Sequence, residues 1–297
     1  MNVYSPREID GILHARGLSP SKKRGQNFLI DRNIAERIAD TAPRGRMAHA
    51  VEIGPGLGSL TRMLQSRYAS LTAVEFDRGF HGFLTEDADL SRVHFLHSDI
   101  RTISLAEHAA RMDVYGNIPY NISSSILEWL FIDNAMSWNF AVFLVQNEFA
   151  KRLAASPGTD DYSALTLLGN FSADIKRVFT VPRTVFHPRP SVESAVIALM
   201  PHGRYDMQYF DVFRMLTRAL FHNRRKTFRN NLLIAPHLLL DMKIADEILA
   251  ASKLSHDIRG ECIDCDTVYA IACRFAEILR TANARTLQGN TKTTPGY

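Results

Sequence analysis

Between residues 48 and 200 short apolar runs alternate with amphipathic segments, and no feature of the chain limits its fold more than this alternation. Ala48–Ile53, Leu71–Phe76, Val93–His97, Met112–Tyr115 and Phe140–Val145 have the length and composition of strands. A segment from about Asn33 and the pieces Leu60–Tyr68 and Ser124–Ile132 have helical spacing. Strands joined through helices by loops this short run parallel, and a parallel sheet must be covered on both faces. Ile175–Val181 and Ala195–Met200 flank a loop containing Pro182, Pro188 and Pro190, and suit an antiparallel pair closing one sheet edge. After Pro201 the texture changes to helical periodicity over residues 207–280. The expected organisation is an α/β, Rossmann-like domain over 1–203, a small all-α domain over 204–285 and a disordered tail over 286–297.

The first predicted strand runs into Val51-Glu52-Ile53-Gly54-Pro55-Gly56-Leu57-Gly58-Ser59-Leu60-Thr61. Alternate glycines let backbone turn tightly and lie close against a ligand. A dinucleotide fingerprint, G-x-G-x-x-G, would need glycine at position 59, where Ser59 stands. Glu52, at the strand end, would repel a pyrophosphate. The amino-acid moiety of S-adenosylmethionine carries an ammonium and no phosphate, and so suits that acid. Glu75 ends the second predicted strand, where a carboxylate can accept from both ribose hydroxyls; Asp99 follows the third, where it can accept from an adenine amine. Three acids at consecutive strand ends behind one glycine turn outline a cofactor site comprising Glu52, Gly54, Gly56, Gly58, Glu75 and Asp99.

Lys and Arg total 35 against 31 Asp and Glu, a net charge of +4, which is too small by itself to demand a polyanionic partner. Its distribution says more. No acid falls between Asp10 and Asp31, where Arg16, Lys22, Lys23 and Arg24 stand. None falls between Asp211 and Asp241, where Arg214, Arg218, Arg224, Arg225, Lys226 and Arg229 stand. On one helix Arg225 and Arg229 would share a face, with Phe221 and Phe228 turned inward, giving a footprint for the phosphate backbone of RNA. Cys262, Cys265 and Cys273 make no disulfide framework, and the Cys262-x-x-Cys265 spacing has neither a second pair nor a nearby His, so no metal site is expected. There is no apolar run of the ~18 residues a membrane helix needs and no signal-peptide core, which makes the cytoplasm the expected location.

The fourth predicted strand ends in Asn117-Ile118-Pro119-Tyr120, which looks like the Asn/Asp-Pro-Pro-Tyr loop of amino-group methyltransferases. Together with GQNFLID at 25–31, VEIGPGLGSLT at 51–61, VEFD at 74–77, QNEFAKRL at 146–153, FHPRPSVESAV at 186–196 and RRKTFRNNL at 224–232, the chain resembles the ribosomal RNA adenine dimethyltransferase family, in its housekeeping small-subunit branch. That resemblance implies a class I methyltransferase fold using S-adenosylmethionine. It also implies dimethylation of two adjacent adenines near the 3′ end of small-subunit ribosomal RNA, a 30S pre-ribosomal particle as partner, and a monomer. Asn117 and the Ile118 carbonyl would accept from the adenine amine, with Pro119 stiffening the loop. Tyr120 and Phe186 would sandwich the extruded base, Phe186 standing on a rigid surface loop. Asn27 and Leu29 would join the cofactor site over a flexible N-terminal lid, Asn117 would border it too, and Lys22, Lys23, Arg24, Arg224, Arg225, Lys226 and Arg229 would contact RNA. The chain departs from the family pattern at Arg24, Ile118, Asn147 and Ser191, which thins phosphate contacts and leaves the cofactor positions intact. A large-subunit adenine methyltransferase conferring macrolide resistance shares the Asn-Ile-Pro-Tyr loop, but Gly25-Gln26-Asn27-Phe28-Leu29 and the 224–232 block favour the small-subunit branch. A non-catalytic assembly factor would have no need of the acids or the Asn117 loop.

Overall fold

A computed structural model describes residues 2–21, 25–42, 47–238 and 240–289, apart from the side chains of Tyr120, Leu279 and residues 281–289. The chain divides into two compact units, Met1–Ala154 with Ser172–Pro201, and Ala155–Phe171 with His202–Tyr297.

The first unit contains, in order, α1 (Pro6–Ala15), β1 (Phe28–Leu29), α2 (Arg32–Asp40), β2 (His49–Ile53), α3 (Thr61–Leu64), β3 (Ser70–Glu75), α4 (Arg78–Thr85), β4 (Val93–His97), β5 (Met112–Asn117), α5 (Ser123–Glu128), β6 (Trp138–Gln146) and α6 (Asn147–Leu153). After α7 (Ala164–Ser172) come β7 (Ala173–Val181), β8 (Phe186–His187) and β9 (Ser194–Pro201). Seven of the strands form one sheet in the order β4-β3-β2-β5-β6-β9-β7. The pairs from β4 to β6 are parallel, and β9 runs antiparallel to both β6 and β7. The expected antiparallel pair therefore does close one edge. Four of the five residues of β2 are buried, as a strand covered on both faces requires. Strand order reverses between β2 and β5, which opens a crevice beyond their carboxyl ends.

Short side chains start the helices. The carboxylate of Asp31 accepts from Ile34 N at 3.0 Å to cap α2, and that of Asp77 accepts from Gly79 N at 2.9 Å to cap α4. Ser5 caps α1, whose Ile9 and Leu13 enter the core. The N-terminal stretch, expected as a polar, flexible lid, is thus anchored through part of its length by burial of its apolar stripe. The helix expected over Leu60–Tyr68 spans only Thr61–Leu64 and then tightens into a turn, with Arg67 N donating to Leu64 O at 2.8 Å.

The second unit holds α7 up to Phe171, together with α8 (Phe210–Leu220), α9 (Phe228–Ile234), α10 (Met242–Ser252) and α11 (Cys265–Gly289). Phe171 packs 4.7 Å from Phe213 and 5.0 Å from Phe210, ring centre to ring centre. Residues 155–171, assigned to the first domain by their place in the sequence, cluster instead with these helices. Gly158 N donates to Glu261 O at 2.7 Å, and the buried Tyr162 hydroxyl donates to Ile263 O at 2.9 Å. Gly260 passes so close to α8 that a Cβ there would lie 2.5 Å from Leu220 O. Residues 286–289, expected in the tail, continue α11, while 290–297 lie outside the described residues. Among the described residues no helix is long and apolar enough to cross a membrane.

Candidate active site

The glycine turn after β2 has the backbone its composition calls for. Gly54, Gly56 and Gly58 have φ of +66°, +60° and +81°, in the region that favours glycine. A Cβ on Gly56 would press on the Phe28 ring at 3.1 Å, whereas one on Gly54 would meet nothing within 4 Å. Gly54 therefore faces open space. The start of α3 is held by two side chains that the sequence did not single out. Tyr4 donates its hydroxyl to Ser59 O at 2.8 Å, and Arg62 donates to Gly58 O at 3.2 Å while ion-pairing with the nearly buried Asp87.

Two adjoining clefts border this turn, with volumes of about 690 and 730 Å³. Both touch Gln26, Gly54, Glu75 and Pro119. Glu52 lines the first, only 1% exposed, and its Oε2 has no hydrogen-bond partner. Burial pushes its carboxyl up to about 8, with the neighbouring Glu75 adding to the shift. The Glu75 carboxylate accepts from Gly56 N at 3.1 Å and Asp77 N at 2.8 Å, which ties the glycine turn to the start of α4. Burial pushes Glu75 up to about 7, against the pull of those N–H donors. Asp99 lines the second cleft; Arg101, which grips it through Nη2 at 2.6 Å, holds its carboxyl below the usual range.

The loop after β5 reaches the same place. Asn117 donates through Nδ2 to Asn27 O at 2.9 Å, and Asn27 in turn donates to Gly25 O at 3.1 Å. That bond sets the Asn117 amide so that Oδ1 is its acceptor. Gly116 is required behind it, because a Cβ there would meet Ile53 O at 2.9 Å and the Ile118 side chain at 2.7 Å. Pro119 lines both clefts, whereas the Ile118 side chain is buried. Asn27 and Leu29 line the first cleft beside Asn117. The Tyr120 side chain lies outside the described residues. Phe186 is not on a surface loop: it forms β8 with His187, opposite Leu29 and Phe28 of β1, and is 3% exposed in the core. Pairing with β1 buries it, and it is not among the side chains lining either cleft.

The basic run also differs from expectation. Arg224, Arg225 and Lys226 occupy a turn between α8 and α9, not a helix, so Arg225 and Arg229 share no helical face. Asn231 builds the turn, donating to Leu220 O at 3.0 Å and Asn223 O at 3.1 Å. Phe228 is buried, and the Phe221 ring packs at a tilt against Tyr162, 6.0 Å between ring centres. Arg224 pairs with Glu261 at 3.0 Å and Arg229 donates to Asp246 at 2.9 Å, whereas Arg225 and Lys226 are exposed and enter no ion pair among the described residues. Lys22, Lys23 and Arg24 lie outside the described residues.

Sequence reasoning overlooked Gln26, which lines both clefts and accepts from Ser21 N at 2.8 Å. It also overlooked Phe76, which is 58% exposed beside Glu75 in the second cleft. An aromatic ring directly after the strand-ending acid was a readable signal, since a residue there leaves the sheet toward the crevice. Nothing in the sequence marked Tyr4, whose partner lies 55 residues away.

A mixed, mainly parallel sheet with a glycine turn at its switch point, acids at successive strand ends and an Asn-Ile-Pro-Tyr loop on the next strand define a class I S-adenosylmethionine-dependent methyltransferase. The model of the family described as ribosomal RNA adenine dimethylase matches residues 18–268, and the chain belongs to that family. It is 36% identical to "Ribosomal RNA small subunit methyltransferase A" of Pelotomaculum thermopropionicum, over 93% of this chain and 98% of the relative. With the protein of the same name from Chlorobaculum tepidum the identity is 40%, over 72% and 78%. Among solved structures it is similar in fold to a dimethyladenosine transferase from Plasmodium falciparum, with a TM-score of 0.72 and 21% identity over 83% of this chain and 96% of that one.

Proposed function

We propose that this chain transfers methyl groups to the N6 amines of two adjacent adenines near the 3′ end of small-subunit ribosomal RNA, acting as a monomer on a 30S pre-ribosomal particle in the cytoplasm. The observation that carries the reading is the convergence of Asn117, the glycine turn and the buried Glu52, with its unpartnered Oε2, on one cleft, in a chain whose relatives bear the small-subunit name.

The residues present fit S-adenosylmethionine. A buried carboxyl group with an unpartnered oxygen suits an ammonium. The open side of Gly54 admits a ligand against the backbone. Asn27, Leu29, Glu52 and Gly56 would hold the amino-acid end and Gly58 the turn, while Glu75 would accept from the ribose and Phe76 and Asp99 would receive the adenine. Bound there, the cofactor supplies an activated methyl group on a sulfonium. The chain's own contribution is orientation and charge stabilisation. Asn117 Oδ1 and the Ile118 carbonyl accept from the amine of the target base, which localises its lone pair and directs it at the methyl. The bond from Asn117 to Asn27 couples that orientation to the segment closing the cofactor cleft. Arg225 and Lys226 supply phosphate contacts in the second unit. Arg224 and Arg229, already paired, contribute less.

The test is methyl transfer from labelled S-adenosylmethionine to small ribosomal subunits lacking adenine dimethylation, with large-subunit RNA in parallel. Label in two adjacent dimethyladenines near the 3′ end is expected; label in large-subunit RNA alone overturns the reading.

A further inference from the structure

A third acid-free basic stretch runs from Ile175 to Val192, bounded by Asp174 and Glu193, and belongs entirely to the first unit. Its cations are Lys176, Arg177, Arg183 and Arg189, all exposed. None pairs with a carboxylate among the described residues: Arg177 donates to the Thr180 hydroxyl at 2.6 Å and Arg183 to Ser191 O at 3.4 Å. This contrasts with Arg62, Arg67, Arg101, Arg224 and Arg229, each held by an acid. Desolvating a cation already paired with a carboxylate gains little from a phosphate, whereas an unpaired exposed one releases a counterion in full.

Topology places the end of the stretch at the same rim of the sheet as the reacting loop. β7 is the terminal strand of the sheet and runs in the same direction as β6. Its end, Val181, is level with Ser194, which pairs with Gln146 at the end of β6, two residues past the partner of Asn117. Arg183 and Arg189 therefore sit at the carboxyl rim of the sheet, either side of β8, whose partner β1 lines the cofactor cleft. Lys176 and Arg177 lie about 13–17 Å further back along the same edge strand, at about 3.3 Å per strand residue, and project to its two opposite faces. Cations on an edge strand also discourage strand pairing between molecules. That role accounts for Lys176 and Arg177 but not for Arg183 and Arg189, which lie beyond the strand.

We propose that the β7 edge and the β7–β9 connection form a phosphate-contacting surface that seats RNA against the methyltransferase unit itself, through Lys176, Arg177, Arg183 and Arg189. The assignment rests on RNA being the substrate, and names where its backbone lies beside the reacting loop.

The test uses the full-length chain with all four residues changed to Gln, and a second variant carrying Lys176→Gln and Arg177→Gln alone. Binding to transcribed small-subunit ribosomal RNA is measured against salt, with S-adenosylhomocysteine affinity as a check on the cofactor cleft. The slope of log K against log salt is expected to fall by about 0.7–0.9 per cation removed, roughly 3 for the fourfold variant. KM for the RNA is expected to rise at least about tenfold, with kcat and S-adenosylhomocysteine affinity within about twofold of the unaltered chain. Should the fourfold variant not fold, the double variant decides by showing half the slope change or none. An unchanged slope overturns the surface, whichever RNA is methylated. Failure of the unaltered chain to methylate small subunits overturns the target instead, and leaves the slope to judge the surface.

Discussion

The cofactor cleft and the basic turn before α9 treat charge in opposite ways. In the cleft, Glu52 is buried with an unpartnered oxygen and Glu75 is satisfied only by backbone donors, so both carboxyls are pushed up, to about 8 and about 7. In the turn, Arg224 and, just beyond it, Arg229 lie at the surface, already neutralised by Glu261 and Asp246. A site built for a charged ligand keeps a buried group waiting for its counterion, at a cost to the free protein. A surface loop satisfies what it can locally, and only its leftover charges, Arg225 and Lys226, remain for a partner.

The sharpest way to break this contrast is at Asn117. Asn117→Ala is expected to lower kcat by about 10²–10³, the usual cost of removing one preorganised polar group from a reacting centre. S-adenosylhomocysteine affinity should change much less, because Asn117 is aimed at the acceptor. Weak ligand binding with undiminished turnover in single-turnover kinetics would refute that division of roles.

Glu52 sharpens the comparison through pH. Its carboxyl titrates near 4.5 when unfolded and at about 8 in the fold, so the folded chain holds the extra proton between those values. The contribution of the Glu52 proton to the stability of the ligand-free protein is therefore fully present below about 4.5 and is lost as pH rises toward 8, and that of Glu75 is lost toward about 7. Thermal melts from pH 5 to 8 should show a falling midpoint, and Glu52→Gln should flatten it and raise the midpoint at pH 8 while weakening the ligand. A Gln variant with the same pH slope as the unaltered chain would remove Glu52 from the account.

The smallest effect separates the two kinds of surface arginine. Arg225→Gln is expected to reduce the salt slope of RNA binding by about 0.7–0.9, while Arg229→Gln leaves the slope nearly unchanged and slightly lowers the melting midpoint of the second unit. Equal slope changes in the two variants would mean that the Asp246 pair opens on binding.

Much of this was legible in the sequence where the signal is local. The strands of the large sheet, its antiparallel edge, the glycine turn and the strand-end acids each follow from a period of two, a run of apolar residues or a residue type that only one backbone geometry favours. Expectations failed where a distant partner decides. Phe186 next to Pro188 and Pro190 reads as surface loop, but pairing with Leu29, some 157 residues earlier, buries it. Residues 155–171 read as part of the sheet domain, but Tyr162 and Gly158 are claimed by Ile263 and Glu261. The basic run has helical spacing, but Asn231 folds its side chain back to hold a turn instead.

The sequence by itself determined the class of fold, the cofactor turn and the chemistry of the reacting loop, because these depend on short-range backbone preferences and on which side chains stand at strand ends. Only the tertiary structure decided which charges are free. An arginine's availability depends on whether an acid tens of residues away is brought within about 3 Å of it, and an acid's pKa on how completely the chain excludes water around it.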